Sequence, residues 1–302
     1  MEQNNLNKYR YCVLDVFTTE RYKGNPLAVV FTKSDLELSV YENISREFGY
    51  SETSFVYYSK REKALKVRSF TPTGFEIHGA GHNLLGAVQA ALLKNMIIFD
   101  EQKNGESFVI MKDETIHLSI NSTVKNSQFI GMLQKSAAIG KSVDSRIIAA
   151  ALSLRPDEME LNDLMPHVVK TEVTHLMVPV NDLKSLERCV AHKPALIKIA
   201  NDNKFEGVYC FSILQNNPQY FARARFFNPG IGIDEDPATG SAAGPLAGFL
   251  YHNNYVTPDK MYQILQGVEM NQPSTINFEV KTEGIWISGS SVIVMEGEIY
   301  SG

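Results

Sequence analysis

Four short stretches of this chain set groups able to move a proton beside backbone able to hold an anion. Glu52 lies in Tyr50-Ser51-Glu52-Thr53-Ser54-Phe55, a carboxylate entering an apolar strand with hydroxyls on either side. Gly79-Ala80-Gly81-His82-Asn83 frames a histidine with glycines at a helix start. Asp234-Glu235-Asp236-Pro237 puts three carboxylates ahead of a second helix, where one would serve as cap or dipole partner. Thr239-Gly240-Ser241-Ala242-Ala243-Gly244 has the composition of an anion nest. The first three have plainer readings: a solvent-facing strand residue, a structural histidine, a helix cap. Together, Glu, His and Asp beside two glycine-opened helix ends suit proton transfer on a small carboxylate-bearing substrate. The first N–H groups of a helix have no intrahelical partner and can hold the carboxylate.

Other chemistries fit less well. The nest lacks the Gly-Lys-Ser/Thr ending of a P-loop. His78 and His82 are separated by glycines, and no helical His-Glu-x-x-His occurs. There is no Gly-x-Ser-x-Gly elbow and no dinucleotide-binding glycine pattern after a strand. Cys12, Cys189 and Cys210 form no Cys-x-x-Cys pair; they read as small buried hydrophobes. No cofactor and no metal are implied.

The elements that must position these groups are announced twice. Phe70-Thr71-Pro72, Glu76 and Gly81 recur as Phe227-Asn228-Pro229, Glu235 and Gly240, with two extra residues between Pro229 and Glu235. Each copy runs into a small, apolar helix: Gly81-His82-Asn83-Leu84-Leu85-Gly86-Ala87 and Gly240-Ser241-Ala242-Ala243-Gly244-Pro245-Leu246. The copies fall in the two halves of a chain of 302 residues, as a duplication into two lobes would place them. Strand-like runs cover 11–17, 27–31, 51–58, 65–70, 107–111 and 115–120, with a helix from Ser34-Asp35 to Glu47 and another over 82–94. Residues 121–126 read as a linker. The second half gives helices at 143–152, 183–189 and 194–201, short strands at 168–169 and 175–180, and strands at 207–213, 220–227, 261–266, 275–280, 284–288 and 292–300. Strands grouped around few helices, without regular βαβ alternation, argue α+β. A sheet wrapped around a central helix accounts for helices that are apolar nearly all round.

Hydrophobic residues are 44%, charged residues 21% and net charge −5, which suits a globular protein and gives no reason to expect nucleic acid. The longest apolar stretch, 84–93, is about half a membrane span at most and contains Gln89, so no membrane partner is expected. The polar first residues, Met1 to Lys8, read as no secretory signal, and the expected location is cytoplasmic.

Along almost its whole length the chain resembles the PhzF-like isomerases of phenazine biosynthesis, which share the diaminopimelate epimerase fold. The resemblance is carried by Asp15-Val16-Phe17, Gly24-Asn25-Pro26-Leu27-Ala28-Val29, Ser51 to Val56, Arg68 to Pro72, Ala80-Gly81-His82 and Gly232 to Pro245. It implies two pseudo-symmetric lobes, each a barrel-like β-sheet around one helix, with the site in the cleft between them. The last strand then returns to the first lobe, giving 1–120 with 286–302, and 121–285. It further implies a homodimer and no cofactor.

Residue by residue, Glu52 resembles the family's proton shuttle, and His82 and Asp236 its partner acid/base and orienting groups. Gly81, Gly240 and Ser241 match positions whose backbone holds the substrate carboxylate; Asn83 and Thr239 flank them. Closed away from water, Glu52 would have its pKa raised and serve as base and then acid. Epimerases of this fold use two cysteines, but the matching positions are Ala80 and Thr239, which disfavours a two-thiol racemase. The chain departs from the family at His78-Gly79, at Asn83 and at Gln272, where a positive charge is missing. Those changes put the phenazine precursor itself in doubt as substrate. A non-catalytic ligand-binding or interaction protein on the same fold, or an epimerase that does not use thiols, remain the alternatives.

Overall fold

The computed structural model describes residues 7–77, 79–97, 106–121, 129–159 and 161–301. His78 and most of the expected 121–126 linker lie outside them. The elements open with β1 (Asn7–Val16), β2 (Asn25–Phe31), α1 (Leu38–Phe48), β3 (Thr53–Ser59), β4 (Ala64–Phe70), α2 (His82–Leu93), β5 (Glu106–Met111) and β6 (Glu114–Asn121). They continue with β7 (Phe129–Gln134), β8 (Ala138–Ser142), α3 (Ser145–Ala151), β9 (His167–Lys170), β10 (Thr174–Pro179), α4 (Leu183–Arg188) and α5 (Lys193–Asn203). Then come β11 (Gly207–Ile213), β12 (Ala222–Asn228), β13 (Ile233–Asp236), α6 (Gly240–His252), β14 (Met261–Gln266), β15 (Ser274–Lys281), β16 (Gly284–Gly289) and β17 (Ser291–Ser301). The fold is mixed α and β, with far more strand than helix. It divides into two compact units, Met1–Met132 with Ser288–Gly302, and Leu133–Ile287.

In the first unit β1 pairs antiparallel with both β2 and β17. From β2 the sheet runs parallel to β3, antiparallel to β4, parallel to β5 and antiparallel to β6. In the second unit β9 and β10 are antiparallel, β10 and β11 parallel, β11 and β12 antiparallel, β12 and β14 parallel, β14 and β15 antiparallel. The succession is the same, and α2 and α6 occupy the same step in it, the crossover from β4 to β5 and from β12 to β14.

Both crossover helices are buried almost throughout. In α2 every residue from His82 to Leu92 is buried, against β1, β2, β3, β4 and β17. In α6 Gly240 and Ala242 to Leu250 are buried, against β8, β9, β10 and β15. Small residues make this possible. A Cβ on Gly86 would stand 2.6 Å from Leu27, and one on Gly248 2.1 Å from Ala137. Helix α1, by contrast, buries only Tyr41, Ile44 and Ser45, on a cluster with Val30, Phe55 and Phe70.

Helix α1 starts later than the Ser34-Asp35 cap predicts. Its N-cap is Glu37, with no side-chain cap bond. Asp35 is engaged elsewhere, accepting the Tyr41 and Tyr57 hydroxyls at 3.0 and 2.9 Å. The expected helix over 143–152 is shorter, 145–151, capped by Asp144.

Each loop that enters a crossover helix doubles back on the strand before it. Phe70 forms an antiparallel bridge with Glu76, and Phe226 pairs with Asp236. Gly74 and Gly232 take left-handed φ values, +85° and +86°, at the reversals. An arginine closes each loop. Arg68 donates to both carboxylate oxygens of Glu76 at 2.7 and 2.9 Å, and Arg225 to both of Glu235 at 2.8 Å. Each guanidinium also lies over a ring two residues on, 5.1 Å from Phe70 and 5.0 Å from Phe227. The second pair is deeper, and Arg225 also donates to the Leu186, Glu187 and Cys189 carbonyls at the end of α4. Breaking a buried, bidentate pair strands its partner charge. Arg225→Met is therefore expected to cost about 3 kcal/mol and lower Tm by roughly 6–12 °C. Arg68→Met is expected to cost less, its side chain being 27% exposed against 8%. Denaturant unfolding of both variants checks the order; equal losses would contradict it.

Candidate active site

In the first unit the groups gather around the start of α2. Glu52 immediately precedes β3 and is half-buried. Strand alternation puts it on the same side as Ser54. Ser54 donates to the Asn83 carbonyl at 3.0 Å and shares a 2.8 Å hydrogen bond with Ser69. Ser51 Oγ lies 3.5 Å from His82 Nε2. Side chains on both flanks of Glu52 thus touch the first turn of α2. His82 is 5% exposed, and burial pushes its pKa down to about 3, so the imidazole is neutral at neutral pH.

Gly81 caps α2, and Asn83 occupies part of the opening. Asn83 Oδ1 accepts the Gly81 and Leu84 N–H groups at 2.7 and 2.9 Å. Its Nδ2 donates to the Gly79 carbonyl at 3.1 Å. The Gly81 N–H, expected to face a substrate carboxylate, here donates to a neighbouring side chain.

In the second unit the three carboxylates separate. Asp234 is exposed and pairs with Lys193 at 2.6 Å; Glu235 pairs with Arg225. Asp236, 4% exposed, accepts the Thr239 hydroxyl at 2.5 Å. Thr239 holds the N-cap position but makes no side-chain cap bond. Its carbonyl accepts the Ala242 and Ala243 N–H groups at 3.1 and 3.0 Å, while its hydroxyl faces Asp236. The helix end at Gly240 and half-buried Ser241 therefore has no cap from Thr239.

Two buried glutamines support this turn. Gln266 Nε2 donates to the Asp236 carbonyl at 2.7 Å and to Thr239 Oγ1 at 3.0 Å. Gln266 Oε1 accepts the Tyr209 hydroxyl at 2.8 Å and the Thr239 N–H at 3.2 Å. Burial holds the Tyr209 phenol well above its ordinary pKa, with the nearby Asp236 charge adding to it, so Tyr209 stays a donor. Gln134 Nε2 donates to the Gly240 carbonyl at 3.0 Å, and a Cβ on Gly244 would fall 1.8 Å from Gln134 Oε1.

The structure thus gathers Ser51, His82 and Asn83 in one unit, and Asp236, Thr239 and Gly240 in the other. Sequence reasoning missed Arg225, Gln134, Tyr209 and Gln266. The repeat carried the first of these, since Arg225 stands four residues before Pro229 as Arg68 does before Pro72. The others are polar residues buried in strands, with no spacing signal. Among the described residues no cluster of three His, Cys, Asp or Glu could hold a metal ion. No helix there is long and apolar enough to cross a membrane.

Buried crossover helices, glycine-opened helix starts and an acid–histidine set define a class that comparison with known proteins identifies. The family model of phenazine biosynthesis-like proteins matches residues 14–297, and the chain belongs to that family. It is 29% identical to an uncharacterized isomerase of Clostridium acetobutylicum, over 97% of this chain and 99% of that one. It is 27% identical to the trans-2,3-dihydro-3-hydroxyanthranilate isomerase of Pseudomonas aeruginosa, again over 97% and 99%. The crystal structure of a Bacillus anthracis PhzF-family protein has the same fold, with a TM-score of 0.86 at 21% identity over 97% and 99% of the two chains. These relatives place the chain among the isomerases.

Burial also fixes a pH dependence. His82 and His175 both have folded pKa values pushed down by burial from 6.5 to about 3. Between those values the unfolded chain binds protons that the folded one does not. The stability they contribute is complete above about pH 6.5 and is lost as pH falls toward 3. Each histidine adds a slope of up to about 1.4 kcal/mol per pH unit. His175→Gln keeps an acceptor for the Gly207 N–H, bonded at 3.2 Å. Urea unfolding of this variant between pH 7 and 5 should show a shallower slope than wild type; an unchanged slope would count against the assignment.

Proposed function

We propose that the protein is a cofactor-independent isomerase that moves a proton on a small carboxylate-bearing substrate, with Glu52 as the shuttle. Glu52 takes a proton from one substrate carbon and returns it to another, and ends the cycle unchanged. His82 and Asp236 are its partner acid/base and orienting groups. N–H groups at Gly240 and Ser241 hold the substrate carboxylate and stabilise the charge that builds on it as the proton leaves.

The observation that carries this reading is the setting of the three titratable groups. Glu52 stands between serines bonded to α2, His82 opens that helix, and Asp236 is bonded to the N-cap of α6. His82 is neutral near pH 7, so it can donate or accept a hydrogen bond without carrying charge into the site. The same reading takes each unit as a barrel-like sheet around its helix and the protein as a homodimer.

The Pseudomonas aeruginosa relative is named for trans-2,3-dihydro-3-hydroxyanthranilate, an amino- and hydroxy-substituted carboxylate. Asn83 and Gln272 alter the surroundings relative to that family pattern, so the substrate we expect is a related small carboxylate rather than that compound itself.

Deuterium incorporation at carbon tests the proposal. A panel of small amino and hydroxy carboxylates, including trans-2,3-dihydro-3-hydroxyanthranilate, is incubated in D₂O with each protein and read by NMR. Wild type should label at least one of them, and Glu52→Gln should be slower by about a thousandfold, within the usual reach of acid–base catalysis. Full turnover by Glu52→Gln would rule out the shuttle.

A further inference from the structure

We propose that Gln266 is a positioning residue that keeps the first turn of α6 open to a carboxylate by holding the Thr239 hydroxyl away from it. A threonine at the N-cap ordinarily accepts a hydrogen bond from an N–H two or three residues on. Thr239 is placed to do this for Ser241 or Ala242 and does not. Its proton goes to Asp236 Oδ2 and its oxygen receives Gln266 Nε2. Both contacts pull the hydroxyl off the helix axis.

The carboxamide of Gln266 has one possible orientation. A backbone N–H can only donate and a backbone carbonyl can only accept. The Thr239 N–H therefore fixes Oε1 on its side, and the Asp236 carbonyl fixes Nε2 on the other. The Tyr209 hydroxyl, itself wholly buried, adds a second donor at Oε1. The donors then run one way, from Tyr209 through Gln266 and Thr239 to Asp236, and such chains reinforce one another. Gln266 is 0% and Thr239 6% exposed, so little water competes for these bonds. In α2 the residue inside the first turn, Asn83, takes the opposite role and fills the opening. The arrangement at α6 therefore follows from its particular side chains and not from burial of a helix start in general.

This inference rests on the reading that Gly240 and Ser241 hold a carboxylate, and its test separates the two. Gln266→Met keeps the length and removes all four hydrogen bonds; Gln266→Glu keeps the two acceptor contacts and removes the donors. Near-UV circular dichroism shows which variant retains the fold. In that variant's crystal structure the Thr239 hydroxyl should leave Asp236 and meet the Ser241 or Ala242 N–H. Acetate, added to ¹⁵N-labelled protein, should shift the Gly240 and Ser241 amides of wild type. Its affinity should fall about tenfold in the variant, and return when Thr239→Ala removes the competing hydroxyl. A merely structural role for Gln266 would not give that rescue. Persistence of the Thr239–Asp236 bond in the variant, or unchanged acetate affinity, would overturn the proposal. A wild type blind to acetate, with Thr239 turned in the variant, would sink the carboxylate reading and leave the positioning of Thr239 by Gln266 supported.

Discussion

A helix enclosed almost throughout by its sheet leaves the N–H groups of its first turn little water, so the few groups around that turn decide how they are satisfied or whether they stay available. Helices α2 and α6 both live under this constraint. The two solutions differ. At α2 a carboxamide in the first turn, Asn83, bends back over the opening. At α6 the residue best placed to cap instead faces a carboxylate, under the control of a glutamine from β14. A fold that repeats the same succession of strand pairings thus presents two chemically unlike helix starts.

Burial of these helices also dictates the loops before them. The chain must reverse tightly after β4 and β12 so that each helix begins inside its sheet. A left-handed glycine makes the reversal, and an arginine–glutamate pair fastens it to the preceding strand. The second copy has taken on more. Arg225 ties the loop to the end of α4 through three carbonyls, whereas Arg68 lies 4.5 Å over the Tyr41 ring of α1. The extra residues in the second loop form the 3₁₀ turn at Pro229–Ile231 and let β13 lengthen a single bridge into a short strand.

Much of this is legible in the sequence. Runs such as 207–213 and 261–266 are strands with the same bounds, because short runs of six or seven largely apolar residues leave few choices. Strands β7, β8 and β13 were not seen. Strand β8 reads Ala-Ile-Gly-Lys-Ser and is largely exposed, so it carries little pattern, and β13 is four residues of mostly acidic sequence held by pairing to β12. Tertiary pairing decides such segments, not propensity. At the site, the repeat and the resemblance named Glu52, His82, Asp236 and the glycines. They could not name Gln266 or Gln134. A buried amide shows its use only when the groups it joins, 27 and 30 residues away for Gln266, are seen together.

Strand β1 lies between β2 and β17, so the first unit is closed by a strand nearly three hundred residues further along the chain. The second unit is continuous in sequence. On the ribosome it has all of its residues before β17 emerges, while the first unit waits with one side of β1 unpaired. A free strand edge is a template for association. The vulnerable period is therefore the interval between synthesis of β1 and synthesis of β17, which contains synthesis of the whole second unit.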